Sequence, residues 1–333
     1  MRDTEKVTIR EVAKRAGVSV TTVSRVLNGH DLEHMRPETR KRVQLAISEL
    51  EYTPIKAAQT LRRQRTQVIG ILVPDISNSF FSRIVRGIGA VTFKNGFSTL
   101  VCDSNHSVKR ESRYLDILLA ESVEGIVFIP VGTPDMKGVN RVLRQGVKIV
   151  VVDRRVEGLP AVEADNFGGG LELTRHLLGL GYHRIAYISG PPEVSTAKAR
   201  VAGFQQALAE VGLAPVVIEH GEFTYESGYE HARQILRGYR VDAIMAGNDL
   251  IAIGVLQAAE DLGVRIPKDL GITGFDHTPL LSLVRPKLTT VEVPAYQLGE
   301  EVARQLLEGR GEDLTLPVRL IPGGTCCLQE QGR

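Results

Sequence analysis

The sequence predicts a small all-α headpiece carrying a helix-turn-helix, followed by an α/β core of two lobes, each built on a parallel sheet. Three observations predict it. Ala16-Gly17-Val18-Ser19 reads as a helix end, a tight turn and a new helix start. From Val68 onward, short apolar runs alternate with longer amphipathic ones, the pattern of parallel strands covered by helices. These units outnumber what one doubly wound sheet comfortably holds, so two similar Rossmann-like lobes are expected.

In the headpiece, Thr8-Ile9-Arg10-Glu11 fits a capping box that starts helix one. Val12, Ala13 and Ala16 give it an apolar side. Gly17 supplies the left-handed turn residue. Ser19 caps helix two, expected from Ser19 to Asn28, whose Val23, Val26 and Leu27 turn inward together with Val18. Val20, Thr21, Ser24 and Arg25 are left facing outward. A polar loop follows to Arg36, and Pro37 opens helix three through Val43, Ala46, Ile47 and Leu50. Tyr52-Thr53-Pro54 breaks the chain. The piece from Ile55 to Arg65 has no apolar stripe wide enough to bury, and alone it is too short to nucleate a stable helix.

The expected core strands are Val68–Val73, Ser98–Cys102, Gly125–Ile129, Lys148–Val152, Arg184–Ser189, Val216–Glu219, Ala243–Ala246 and Leu270–Thr273. Between them helices are expected at Phe80–Asn95, Arg110–Glu121, Gly168–Gly181, Lys198–Val211, Ser227–Gly238 and Leu250–Leu262.

Charge is uneven. Residues 1–66 hold 14 Lys/Arg against 8 Asp/Glu, and the remainder 27 against 31. A basic front end on an acidic body points to a polyanionic partner for the front end. The three cysteines, two of them adjacent, have neither a disulfide pattern nor zinc spacing, which suits a reducing cytosol. The charged start Met1–Lys6 is not a signal peptide, and no window reaches the ~18 apolar residues of a membrane span. A cytoplasmic location is expected. No phosphate loop, nucleophile elbow, dinucleotide fingerprint or metal spacing appears, so neither a catalytic site, a metal nor a cofactor is expected.

An exposed helix start of small polar residues plus an arginine suits the major groove of DNA. Arg25 can fork onto guanine O6 and N7, Thr21 can donate or accept, and Val20 can meet a thymine methyl. Ser19, Thr22 and Asn28 are placed as phosphate contacts, which set register. In the core, polar groups cluster just beyond strand ends, where open parallel sheets bind ligands. These are Asn78, Phe80 and Phe81 after the first strand, Asp153 and Arg154 after the fourth, Phe223, Asn248 and Asp276 after later ones, and Arg200 near a helix start. Glu292 is added in the expected crossover before Pro294, and His277 is read as cavity rim. Carboxylates, guanidinium forks, an amide and phenylalanine faces together suit the hydroxyls and C–H faces of a small neutral sugar.

Thr8–Ala13, Ala16–Asn28, Tyr52…Pro54…Ala57…Leu61, Ile69-Gly70…Val73-Pro74-Asp75, Gly247-Asn248-Asp249 and Gly274-Phe275-Asp276 together resemble bacterial LacI/GalR-type transcription regulators over essentially the whole chain. The resemblance implies a headpiece at 1–53, a hinge helix and linker at 54–66, and a periplasmic-binding-protein-like core at 67–333. It places lobe 1 at about 67–161 and 294–321, and lobe 2 at about 162–291 and 322–333. It further implies a homodimer on a palindromic double-stranded operator, with Ala57, Ala58 and Leu61 of the hinge entering the minor groove. The effector set resembles that of ribose-type regulators, except that Glu292 stands where those have glutamine. The loop Gly29–Arg36 is longer than is usual in the family. Alternative readings are a nucleobase- or partner-responsive regulator of the same family and, more distantly, a cytosolic sugar-binding protein or enzyme.

Overall fold

The computed structural model describes residues 7–28, 34–52 and 66–329, except for the side chain of Asn28. The hinge residues Ala57, Ala58 and Leu61, and most of the loop from Gly29, lie outside the described residues. The chain divides into two compact units, Met1–Thr66 and Gln67–Arg333.

In the first unit, α1 (Ile9–Ala16), α2 (Val20–Asn28) and α3 (Pro37–Glu49) surround Val12, Ala13, Ala16, Val23, Val43 and Ala46. The carboxylate of Glu11 accepts the Thr8 backbone N–H at 2.6 Å and the Thr8 hydroxyl at 3.0 Å, fixing the start of α1. Gly17 ends it at φ +65°, a conformation costly for any residue with a Cβ. Ser19 Oγ then accepts the Thr22 N–H at 3.1 Å, the cap read from the sequence. Arg36 stands at the N-cap of α3 without a side-chain cap bond, and Pro37 supplies the fixed φ.

In the second unit, six parallel strands form the first sheet in the order β11-β5-β4-β3-β1-β2. These are β1 (Val68–Val73), β2 (Ser98–Asp103), β3 (Gly125–Phe128), β4 (Lys148–Val152), β5 (Ala161–Ala164) and β11 (Leu314–Leu316). The second sheet, order β7-β6-β8-β9, is also all parallel and comprises β6 (Ile185–Ser189), β7 (Ile218–His220), β8 (Ala243–Ala246) and β9 (Gly271–Thr273). Strands β10 (Thr290–Glu292) and β12 (Arg319–Ile321) pair antiparallel and form a separate ribbon. Because β5 pairs with β4, the chain leaves the first lobe after Ala164, slightly beyond the boundary of about 161.

The covering helices are α4 (Ser79–Lys94), α5 (Val108–Ala120), α6 (Met136–Arg144), α7 (Asn166–Gly179), α8 (Ser195–Glu210), α9 (Tyr225–Gly238), α10 (Asp249–Asp261) and α11 (Ala295–Glu308). The strands and helices named from sequence all form, with ends moved by up to three residues. Helices α6 and α11 and strands β5, β10, β11 and β12 were not anticipated; the four strands have only three or four residues each and carry almost no periodic signal. Three helix pairs cross at facing glycines: Gly87 with Gly299, Gly170 with Gly203, and Gly228 with Gly254. A Cβ on any of these would sit 2.1–2.5 Å from a backbone carbonyl of the partner helix.

Candidate effector cavity and nucleic-acid interface

The outward face of α2 is as expected. Val20 is 42% exposed, Thr21 and Arg25 are exposed, and Ser24 is half-buried. Ser19 and Thr22 hydroxyls hydrogen-bond each other at 2.9 Å at the start of the helix. The backbone N–H groups and small side chains of this first turn form a compact polar end, next to which Arg25 supplies the long cation.

The core encloses a cavity of about 260 Å³ at the carboxyl ends of both sheets. Nine of the ten effector residues named from sequence line it: Asn78, Phe80, Phe81, Asp153 and Arg154 from the first lobe, and Arg200, Phe223, Asn248 and Asp276 from the second. Each is delivered by a local device. The Asn78 side chain caps α4 by accepting the Phe80 N–H at 3.0 Å, which turns Phe80 and Phe81 inward. Asn248 caps α10 through the Ile251 N–H at 2.9 Å and donates to the Phe223 carbonyl at 3.3 Å. Asp153 and Asp276 follow strand ends with φ of +70° and +103°, backbone strain of the kind that gathers at ligand sites.

Arg200, 3% exposed, organises the second wall. It donates to Asn166 Oδ1 at 2.8 Å, the Gly247 carbonyl at 2.6 Å and Asp276 Oδ1 at 3.1 Å, and stacks on Phe275 at 3.8 Å. On the first wall Arg154 donates to the carbonyls of Pro130 and Val131, the latter at 2.6 Å, with Asp153 Oδ2 at 3.7 Å from its Nε. Asp153 Oδ1 and Arg154 Nε are buried without a hydrogen-bond partner. Burial pushes Asp153 above the usual carboxylate range and pulls Arg154 down. Asp276 is likewise raised, chiefly by burial, against the opposing pull of Arg200.

Glu292 is the exception. Its carboxylate accepts from Arg319 at 2.6 and 3.0 Å, because the two residues face each other in the β10–β12 ribbon. It lies outside the cavity, so the crossover position holds the ribbon together. His277 is also displaced: with φ +51° it turns toward a separate cavity of about 740 Å³ lined by Arg83, Arg285 and Lys287. Sequence reading missed Asp75, His106, Val131, Glu193, Val194 and Glu222 in the cavity wall. They sit in loops whose path depends on the packing of both lobes. With them the cavity carries five carboxylates and two guanidinium groups.

Among the described residues no His/Cys/Asp/Glu group is arranged to hold a metal, and the three cysteines are free thiols. No described helix is long and apolar enough to cross a membrane.

A helix-turn-helix unit joined in one chain to a two-lobed core with a polar cavity at its strand ends defines a ligand-responsive DNA-binding regulator. Residues 8–54 match the bacterial regulatory proteins of the lacI family, and residues 66–322 match the periplasmic binding proteins and sugar binding domain of LacI family. The chain belongs to the LacI family, and it is a transcription regulator, not an enzyme. It is 37% identical to the HTH-type transcriptional regulator DegA of Bacillus subtilis (strain 168), covering 89% of each chain. It is 36% identical to the ribose operon repressor of Halalkalibacterium halodurans, covering 90% of this chain and 89% of that one. The lac repressor dimer bound to operator and the anti-inducer ONPF superposes with a TM-score of 0.87 at 28% identity, over 97% of this chain and 100% of that one. A LacI family regulator from Enterococcus faecium with bound ribose superposes at 0.72 and 31% identity, over 79% and 100%.

Proposed function

We propose that this regulator binds a palindromic operator as a homodimer in the cytoplasm and represses from it. Val20, Thr21 and Arg25 read base edges, while Ser19, Thr22 and Asn28 hold phosphates. Ala57, Ala58 and Leu61 of the hinge enter the minor groove. A small neutral sugar, a ribose-like pentose or a hexose, closes the cleft and changes operator affinity. The observation that carries the effector class is the pairing of unpartnered buried groups, Asp153 Oδ1 and Arg154 Nε, with phenylalanine faces across a cavity of about 260 Å³.

Hydroxyls satisfy both kinds of orphan, donating to the carboxylate and accepting from the guanidinium. C–H faces pack on Phe80, Phe81 and Phe223. Asp75, Glu193 and Glu222, the acidic side chains added to the cavity wall, disfavour a phosphorylated or carboxylate-bearing ligand. The ribose named for one relative and bound in one similar structure agrees with this chemistry. Because the two walls come from different lobes, ligand stabilises their approach. Coupling of about 1–3 kcal/mol corresponds to a change of roughly 5–150-fold in operator affinity.

The test is operator binding by fluorescence anisotropy on a duplex selected from a palindromic library, with and without a panel of pentoses, hexoses and nucleosides. Specific binding that falls with salt and shifts with a neutral sugar is expected. A shift by nucleosides alone overturns the effector class, and indifference to every palindrome overturns the whole reading.

A further inference from the structure

We propose that Glu111, which has no access to the cavity, fixes the position of Arg154 and so sets how tightly the core holds its effector. This deepens the sugar reading and rests on it. Glu111 lies on α5 and is 1% exposed. Its Oε2 accepts the Val131 N–H at 2.8 Å. The other end of that same peptide group, the Pro130 carbonyl, accepts from Arg154 Nη1, which also reaches the Val131 carbonyl at 2.6 Å. One amide is thus held between a carboxylate and a guanidinium. Each charge polarises it in the sense that strengthens the bond to the other.

The neighbouring residue ties the same loop again. Ser112 Oγ donates to Asp135 Oδ2 at 3.0 Å, and Asp135 caps α6 through the Lys137 N–H at 3.0 Å. The loop from Pro130 to Asp135 is therefore stapled to α5 at both ends. Arg154 also gains from a fixed support behind it. It is 5% exposed and shares Asp153 with the cavity, so the Glu111 tether holds it from behind the wall, where ligand cannot displace it. Burial lifts the Glu111 carboxyl to about 7, opposed by the Val131 N–H and Arg154. A group buried at that cost is poorly explained as a source of stability.

The experiment compares Glu111→Ala, which removes both bond and charge, with Glu111→Gln, which keeps an acceptor for Val131. D-ribose affinity of the full chain is read by calorimetry, and the guanidinium signals of Arg154 by ¹⁵N-edited NMR without ligand. Glu111→Ala is expected to weaken D-ribose binding at least tenfold and Glu111→Gln about threefold. Operator affinity without sugar stays within twofold. Resolved Nη signals of Arg154 persist in Glu111→Gln and average out in Glu111→Ala. Unchanged arginine signals in Glu111→Ala, or loss of ribose affinity no larger than in Glu111→Gln, overturn the proposal. If Glu111→Ala fails to fold, unchanged ribose affinity in Glu111→Gln overturns it. An unmodified protein that ignores D-ribose counts against ribose as the effector and not against the tether, and the arginine signals then decide this proposal.

Discussion

Replacing Gly170 by alanine tests whether the second cavity wall depends on the close crossing of α7 and α8. A Cβ at Gly170 would lie 2.5 Å from the Arg200 carbonyl oxygen and 3.1 Å from its Cα, both backbone atoms of the facing helix. Ordinary contact begins at 3.4 Å, so the helices separate by roughly 0.9 Å. Neither partner can rotate away as a side chain would. Overpacking of this kind costs about 1–3 kcal/mol. Alanine returns about 1 kcal/mol through its better helix propensity. The net loss is at most about 2 kcal/mol, and at about 2–4 °C per kcal/mol in a chain of this size the midpoint falls by up to roughly 8 °C.

The functional effect is larger than the thermal one. The displaced residue is Arg200 itself, and its 3.1 Å bond to Asp276 lies near the limit of hydrogen-bond reach. A shift of that size breaks it, so effector response falls at least tenfold. Gly179 is the control: it ends the same helix and has nothing within 4 Å of an added Cβ. Differential scanning fluorimetry and operator anisotropy with sugar compare the two. If Gly170→Ala melts with Gly179→Ala and keeps its response, the crossing does not position Arg200 and the reasoning fails.

Arg25→Ala should leave binding to non-specific duplex within about threefold while flattening preference at one base pair of each half-site, worth about 1–3 kcal/mol; a retained preference in a competition assay assigns the reading elsewhere. Asp276→Asn should remove sugar response and leave unliganded operator affinity intact, whereas Glu292→Gln should leave sugar response unchanged because Glu292 engages Arg319. Titration runs opposite to simple acid denaturation between pH 5.5 and 8.5. Burial raises Glu111 to about 7 and lifts Asp249 and Asp276 well above the usual carboxylate range. The folded chain therefore keeps protons that the unfolded chain has released, and stability falls as pH rises through these values. Urea midpoints should be higher at pH 5.5 than at pH 8.5, with a smaller difference in Glu111→Gln; equal midpoints in the unmodified protein contradict these carboxyl positions.

What the sequence determined by itself was local. Gly17 and Ser19 marked the turn in the headpiece, since a left-handed residue and a cap hydroxyl act within a few residues of themselves. Asn78, Asp153, Asn248 and Asp276 announced themselves by following apolar runs, because parallel strands deliver the residues after them to one edge. Tertiary structure decided which of those residues share a space. Glu292 follows a strand as Asp276 does, yet its strand pairs with β12, and Arg319 takes its carboxylate away from the cavity. The glycine-paired crossings, the rim carboxylates and the Glu111 tether were likewise out of reach, since each depends on two segments far apart in the chain meeting at a distance that neither encodes alone.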